Sequence, residues 1–366
     1  MERHTASRRR FFQGLGAAAA LPRLTAAATS GPSAPLRLSA NESPYGPFPS
    51  IVRAMAKACE RGNYYVGGEA QALRQRLAEL HGVPGSSLIL GAGSGEPLRV
   101  ATLVFCGSGH APVVAEPTFE AVARTAEIQH FPAVKIPLTA QGVHDVERMV
   151  EVARKNSAGL LYLCNPANPT GTIVTREQLA WVVENLPGDA VLLADEAYND
   201  FVDDPRYQTA LPYVKAGRRV VILKTFSKIY GLAGMRLWYA IGPAELIGHM
   251  SPAMLGGMAF NQAVIAGARA GLDDKAAYDR VRTDNARVRK FVMEGFREMG
   301  YTCFDSQANF IMVDLRRPIG PVSAKLAEGG FAVGRLFPSM PHHLRITLGQ
   351  MPDMQRFMPL MKQIVG

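Results

Sequence analysis

Lys228 stands in the run Thr225-Phe226-Ser227-Lys228, and Gly231-Leu232-Ala233-Gly234-Met235-Arg236 follows closely. Upstream lie Asp195-Glu196-Ala197-Tyr198 and, earlier still, Asn165-Pro166-Ala167-Asn168-Pro169-Thr170-Gly171. These segments offer an amine, a carboxylate, a phenol with an amide, and donors for an anion. Pyridoxal 5'-phosphate (PLP) needs that set: an amine for its aldehyde, a partner for its ring nitrogen, donors for its phenolic oxygen and a cradle for its phosphate.

Lys228 is the expected Schiff-base lysine, which would also carry the substrate's Cα proton. Asp195 closes the apolar run Val191-Leu192-Leu193-Ala194. A carboxylate there can keep a pyridine nitrogen protonated; a helix N-cap is the plainer alternative. Tyr198 and Asn168 are placed to hydrogen-bond the phenolic oxygen and so tune the imine's proton affinity. For the phosphate, Gly93-Ser94-Gly95 opens a helix, and Ser94 and Gly95 bring N–H donors at its N-terminus. Thr225, Ser227 and Arg236 complete the cradle, Arg236 as a planar two-pronged donor. Glu96 occupies the place where a dinucleotide fingerprint needs its third glycine, which excludes that reading of the turn. Phe119, in Pro117-Thr118-Phe119, can stack on a pyridine face or serve as an ordinary core ring.

These groups need a scaffold. The chain has 366 residues, 48% hydrophobic and 19% charged, enough for a large domain and a smaller one with packed cores. Short apolar runs at residues 88–90, 111–115, 159–163, 191–194, 220–223 and 237–241 alternate with helical stretches. Continuous apolar runs predict strands covered on both faces, hence a mostly parallel sheet with helices on each side. Apolar spacing predicts helices over residues 51–61, 70–81 and 276–299. Residues 310–313, 332–333 and 344–347 read as strands of a smaller α+β unit. The expected organisation is a large cofactor-binding domain over residues 63–249, with an arm, 29–62, and a small domain, 250–366.

The formal charge is +9, yet five Arg and one Glu lie in residues 1–28, so the rest keeps +5. No Lys/Arg run remains of the kind that binds nucleic acid. Cys59, Cys106, Cys164 and Cys303 form no C-x-x-C pair, and His342-His343 is the one adjacent His pair. Neither a metal centre nor a disulfide framework is expected. Ser7-Arg8-Arg9-Arg10-Phe11-Phe12, a mildly apolar stretch over 11–21 and Ala26-Ala27-Ala28 describe a twin-arginine signal peptide over residues 1–28. That predicts passage through the twin-arginine export machinery to the periplasm, or a cytoplasmic protein if the signal is not used. No later apolar run reaches membrane-span length.

Together, Ala40-Asn41-Glu42-Ser43-Pro44-Tyr45, residues 165–171, 194–198 and 226–236, and Leu344-Arg345-Ile346-Thr347-Leu348-Gly349 resemble the class I/II, fold-type-I PLP aminotransferases. Within them the chain is similar to the histidinol-phosphate aminotransferases, over residues 36–364. The resemblance implies an α/β fold: a large domain with a mostly parallel central sheet flanked by helices, plus a smaller α+β domain. It implies the Schiff-base role for Lys228, with the cofactor roles above for Asp195, Tyr198, Asn168, Ser94, Gly95, Ser227 and Arg236. It implies that Tyr65 reaches the phosphate held by a partner subunit, hence a homodimer with shared active sites. It further implies Arg345 for the substrate's anionic end, Arg335 for a substrate phosphate, and Tyr45 and Asn309 in the substrate pocket. The implied reaction moves an amino group from an anionic amine or amino acid to a 2-oxo acid. Histidinol phosphate with 2-oxoglutarate leads. An aromatic or other amino acid, or a PLP-dependent lyase or cyclising reaction on the same fold, are the alternatives. The chain departs from the family pattern in having Phe119 where Tyr is usual and a Gly- and Met-rich segment over residues 254–261. An export signal is a further departure, because histidine biosynthesis is cytoplasmic.

Overall fold

The computed structural model describes residues 34–93 and 95–366; the expected signal peptide and Ser94 lie outside the described residues. Residues Pro35–Gly366 form one compact unit. Its strands are β1 (Leu36–Leu38), β2 (Leu88–Gly91), β3 (Val113–Glu116), β4 (Val134–Pro137), β5 (Leu160–Cys164), β6 (Val191–Asp195), β7 (Val220–Thr225), β8 (Trp238–Ile241), β9 (Thr302–Cys303), β10 (Phe310–Asp314), β11 (Phe331–Val333) and β12 (His343–Thr347).

Seven of these strands make one sheet in the order β2-β8-β7-β6-β5-β3-β4. The strands from β7 to β4 run parallel, and β8 runs against both β7 and β2. Every residue of β5, β6 and β7 is buried, as central strands covered on both faces require. The apolar runs in the sequence correspond to β2, β3, β5, β6, β7 and β8. β4 left no such run, because it lies at the sheet edge and buries only Ile136. Between the strands lie helices with legible starts. Asp145 accepts from the Arg148 N–H to cap Val146–Lys155, and Thr175 with Gln178 forms a capping box on Arg176–Asn185.

A second sheet has the order β12-β10-β9, and β1 pairs in parallel with β11. Two hydrophobic cores follow. The larger holds Leu193, Ile222 and Phe226; the smaller holds Leu38, Val292, Ile311, Ile346 and Phe357. Burial of each such side chain contributes roughly 2 kcal/mol. The cores do not part at residue 249. Ile51 of the helix Pro49–Cys59 and Val264 of Gln262–Asp273 both belong to the larger core. Gly271 lets these helices approach, since a Cβ there would lie 2.9 Å from Ile51 Cδ1. The helix Lys275–Glu298 spans both cores, with Val281 in one and Val292 in the other.

One contact ties the arm to the loop after Lys228. Gly231 has φ 70°, and a Cβ there would come within 2.2 Å of the Gly46 carbonyl oxygen. Only glycine suits both the left-handed backbone and the close approach. No helix among the described residues is long and apolar enough to cross a membrane.

Candidate active site

Parallel strands present their C-terminal ends on one side of a sheet, and the turns there collect ligand-binding groups. β3 leads to Thr118 and Phe119, β5 to Asn168, β6 ends on Asp195, and β7 leads to Ser227 and Lys228. These residues line a cavity of about 410 Å³ together with Asn41, Tyr198, Arg236, Arg335 and Arg345. That volume suits a small organic ligand.

Lys228 directs its amine toward the arm. Its Nζ donates to the Asn41 carbonyl at 2.9 Å and to the Ala40 carbonyl at 3.4 Å. Burial pushes the amine down to about 8, helped by the neighbouring Arg345 and opposed by Glu42 and Asp195. Asp195 is buried. Its Oδ2 accepts from the Tyr162 hydroxyl at 2.9 Å and its Oδ1 from the Ala197 N–H at 3.1 Å. Burial pushes this carboxyl up to about 6, against those two hydrogen bonds, which favour the anion. A cationic ring nitrogen beside it would restore the ionised form. The Tyr198 hydroxyl accepts from Asn41 Nδ2 at 3.1 Å and from Asn168 Nδ2 at 3.5 Å. With its acceptor side so occupied, its own hydrogen remains to donate.

Arg236 of the expected phosphate cradle packs against Gly93. Arg236 has φ 62°, and its carbonyl accepts from the Gly93 N–H at 3.0 Å. A Cβ on Gly93 would lie 2.9 Å from Arg236 Nη2, so glycine leaves the room the guanidinium occupies. The Ser227 Oγ accepts from the Trp238 indole N–H at 3.3 Å, which frees its own hydrogen as a donor. Thr225 does not line the cavity. Its Oγ1 accepts from the Ser227 N–H at 2.9 Å and so fixes the turn that presents Ser227. Gly95 begins the helix Gly95–Phe105 and is not among the lining residues.

Arg345 and Arg335 both reach the cavity but differ in setting. Arg345 is buried; its Nη1 donates to Asn168 Oδ1 and its Nη2 to the Ser39 carbonyl, each at 2.7 Å. Arg335 is exposed at the mouth, lies 4.7 Å from the Phe337 ring centroid and pairs with Glu120 at 2.7 Å. Phe119, beside Glu120, is partly buried and faces the cavity.

Three more expected residues, besides Thr225 and Gly95, lie off the lining. Tyr45 packs against the larger core, and burial, with Asp284 adding to it, pushes its hydroxyl up to about 12. Asn309 is buried behind the arm, where its Nδ2 donates to the Asn41 and Glu42 carbonyls at 3.1 and 3.3 Å. It positions the cavity wall and does not face the cavity. Tyr65 is 86% exposed on this chain.

In sequence, Tyr162 is one more residue of the apolar run over 159–163. Its place two residues before Cys164, which pairs with Asp195 across β5 and β6, is what brings its hydroxyl to Asp195. Asn41 was noticed only as part of a motif, and its contacts come from segments more than 150 residues away.

The group implied by the sequence fits these residues. A lysine amine, a buried carboxylate, two aimed donors at Tyr198 and Asn168, and an Arg–Ser pair beside a glycine turn occupy one cavity. Thr118 Oγ1, buried in the same wall, has no protein partner among the described residues. Phe119 and Ala197 both line the same cavity.

Comparison with known proteins agrees with this geometry. Residues 34–358 match the family "Aminotransferase class I and II". The chain is 34% identical to the histidinol-phosphate aminotransferase of Moorella thermoacetica, over 90% of this chain and 86% of that protein. A solved structure from Erwinia carotovora atroseptica superposes with a TM-score of 0.87 at 29% identity, covering 90% of this chain and 95% of the other. The PLP complex of the Sinorhizobium meliloti histidinol-phosphate aminotransferase has the same fold, with a TM-score of 0.83 at 24% identity over 91% of each chain.

Proposed function

We propose that this chain, which belongs to the class I and II aminotransferase family, is a PLP-dependent transaminase that takes its amino group from histidinol phosphate and passes it to 2-oxoglutarate. The observation that carries this reading is one cavity holding a lysine amine of lowered proton affinity, a buried carboxylate and two arginines. The likeness to curated histidinol-phosphate aminotransferases supports the donor.

When bound, PLP supplies an electron sink for the charge left at the amine-bearing carbon. The residues do the rest. Asp195 would keep the ring nitrogen protonated. Tyr198 and Asn168 would donate to the phenolic oxygen. Arg236, Ser227 and the N–H groups that open the helix Gly95–Phe105 would hold the phosphate. Lys228, whose amine burial lowers to about 8, would serve as the base that takes the proton from the reacting carbon. Arg345, held rigid by Asn168 and Ser39, orients the donor.

One observation favours a second donor. Arg335 is already matched by Glu120, so a distal phosphate must displace a carboxylate, whereas an amino acid need only place its own carboxylate at Arg345. Glutamate formation from 2-oxoglutarate, measured with histidinol phosphate and with free amino acids, decides between them. Turnover of histidinol phosphate with a KM that falls on Glu120→Gln supports the first reading. Turnover of amino acids alone supports the second, and no glutamate from any donor overturns transamination.

The assembly is read as a homodimer in which Tyr65 reaches the partner's phosphate site. Tyr64, Tyr65, Leu255 and Met258 are exposed apolar side chains, and Gln262 Nε2 donates to the Tyr65 carbonyl at 3.1 Å, which brings their two segments together. A second copy would cover that face. We further read residues 1–28 as a twin-arginine signal that carries the protein to the periplasm. Fusion of those residues to a reporter tests it: a reporter that stays in the cytoplasm contradicts export.

A further inference from the structure

Asn41 makes more contacts around the cavity than any role yet assigned to it explains. It is buried and has φ 54°, a left-handed backbone that asparagine tolerates better than most residues. That conformation turns its carbonyl to the Lys228 amine at 2.9 Å and its side-chain amide to the Tyr198 hydroxyl at 3.1 Å. Its other faces are fixed. The Asn41 N–H donates to Thr347 Oγ1 at 2.9 Å, and Thr347 Oγ1 lies 3.2 Å from Asn41 Oδ1. Asn309 Nδ2 donates to the Asn41 carbonyl at 3.1 Å. With Oδ1 facing a hydroxyl donor, the amide nitrogen has to point at Tyr198, where it can only donate.

We propose that Asn41 is a positioning residue that sets the polarity of Tyr198: its amide donates to the phenol oxygen, so the Tyr198 hydrogen is directed at the ligand's phenolic oxygen. The inference rests on PLP occupying the cavity. Asn168 makes a longer contact with the same hydroxyl, 3.5 Å against 3.1 Å, and its Oδ1 is committed to Arg345. Asn41 is therefore the stronger donor to Tyr198. A hydrogen bond donated into a hydroxyl oxygen strengthens the bond that hydroxyl donates onward. A stronger Tyr198 donor stabilises the phenolate of lysine-bound PLP and weakens its hold on the neighbouring imine proton. Asn41 thus lowers the pH at which that proton is lost.

The test uses the PLP-loaded protein and follows the visible absorbance of lysine-bound PLP as a function of pH. Asn41→Gly keeps the left-handed backbone and the carbonyl to Lys228 but removes the amide. The midpoint is expected to rise by about half to one pH unit, the scale of one lost hydrogen bond between neutral groups. In a Tyr198→Phe background the same substitution is expected to cause no further shift, as a double-mutant cycle requires for a pair acting through one contact. The other charged groups facing Lys228, namely Asp195, Arg345, Arg236 and Glu42, are the same in all these proteins, as is Cys164 beside Tyr198. If the glycine variant does not fold, Asn41→Asp keeps the size and the acceptor facing Thr347; its rise is expected to shrink when Tyr198→Phe is added. A midpoint equal to the native one, or a shift undiminished in the Tyr198→Phe background, overturns the inference. Absence of any such band in native protein overturns the cofactor reading instead.

Discussion

At Gly93 the space a β-carbon would need is taken by the Arg236 guanidinium. Gly93→Ala is expected to push that group aside and weaken PLP binding about tenfold, near the loss of one charge-assisted hydrogen bond. A PLP titration followed by absorbance measures this, and native affinity would remove Arg236 from the cradle. Lys228 gives a second residue-scale test. Its amine is lowered to about 8, so PLP capture by the apoprotein is expected to quicken as pH rises to about 8 and to level off above it. An unperturbed lysine would keep accelerating toward ~10.4. The fold disfavours the protonated amine, so its cost to stability is full below about 8 and is relieved as pH rises toward the unfolded value of ~10.4. At this scale the sequence was legible where chemistry is carried by local motifs: Lys228, Asp195, Tyr198 and Arg236 all line the cavity. It was silent on Tyr162 and Asn41, whose partners are set by strand register and by the course of the arm.

Lys224 near the end of β7 and Glu196 just after the end of β6 form an ion pair that the apolar pattern concealed. Lys224 Nζ meets Glu196 Oε2 at 2.9 Å with both side chains buried. Glu196 also accepts from Thr209 Oγ1 and the Ala210 N–H. These groups hold the start of the segment that carries Tyr198. Glu196→Ala strands an ammonium in the core and is expected to cost about 3–5 kcal/mol, read from the urea midpoint of the apoprotein. A loss under about 1 kcal/mol would show the pair to be as weak as a surface one. The central strands were readable because burial on both faces leaves an unbroken apolar run. β4, with one buried residue, left none. The pairing of β1 with β11 joins residues nearly 300 apart, a separation over which local patterns carry no information.

For the whole molecule, the consequential claim is that one site draws on two chains. Lys228→Ala and Tyr65→Ala each remove a group from a site, and in a mixed dimer of the proposed kind both losses would fall on one site and leave the other intact. Mixing and reassociating the two inactive or weakened proteins is expected to restore activity that neither has alone, through the site that has both Lys228 and the partner's tyrosine. Failure of mixed, demonstrably exchanged dimers to recover activity would confine each site to one chain. The exposed Leu255 and Met258 lie in the Gly- and Met-rich segment that the sequence marked as a departure from the family. Their exposure on one chain fits a face that a second copy covers.

The measurement that bears most directly on the account is a single turnover of PLP-loaded protein with histidinol phosphate and no oxo acid, with cofactor and product both identified by mass spectrometry. The account predicts one equivalent of oxo product per site, conversion of the cofactor to its amine form, and return to the aldehyde form when 2-oxoglutarate is added; Lys228→Ala does none of this. A product released while the cofactor keeps its aldehyde would contradict transamination.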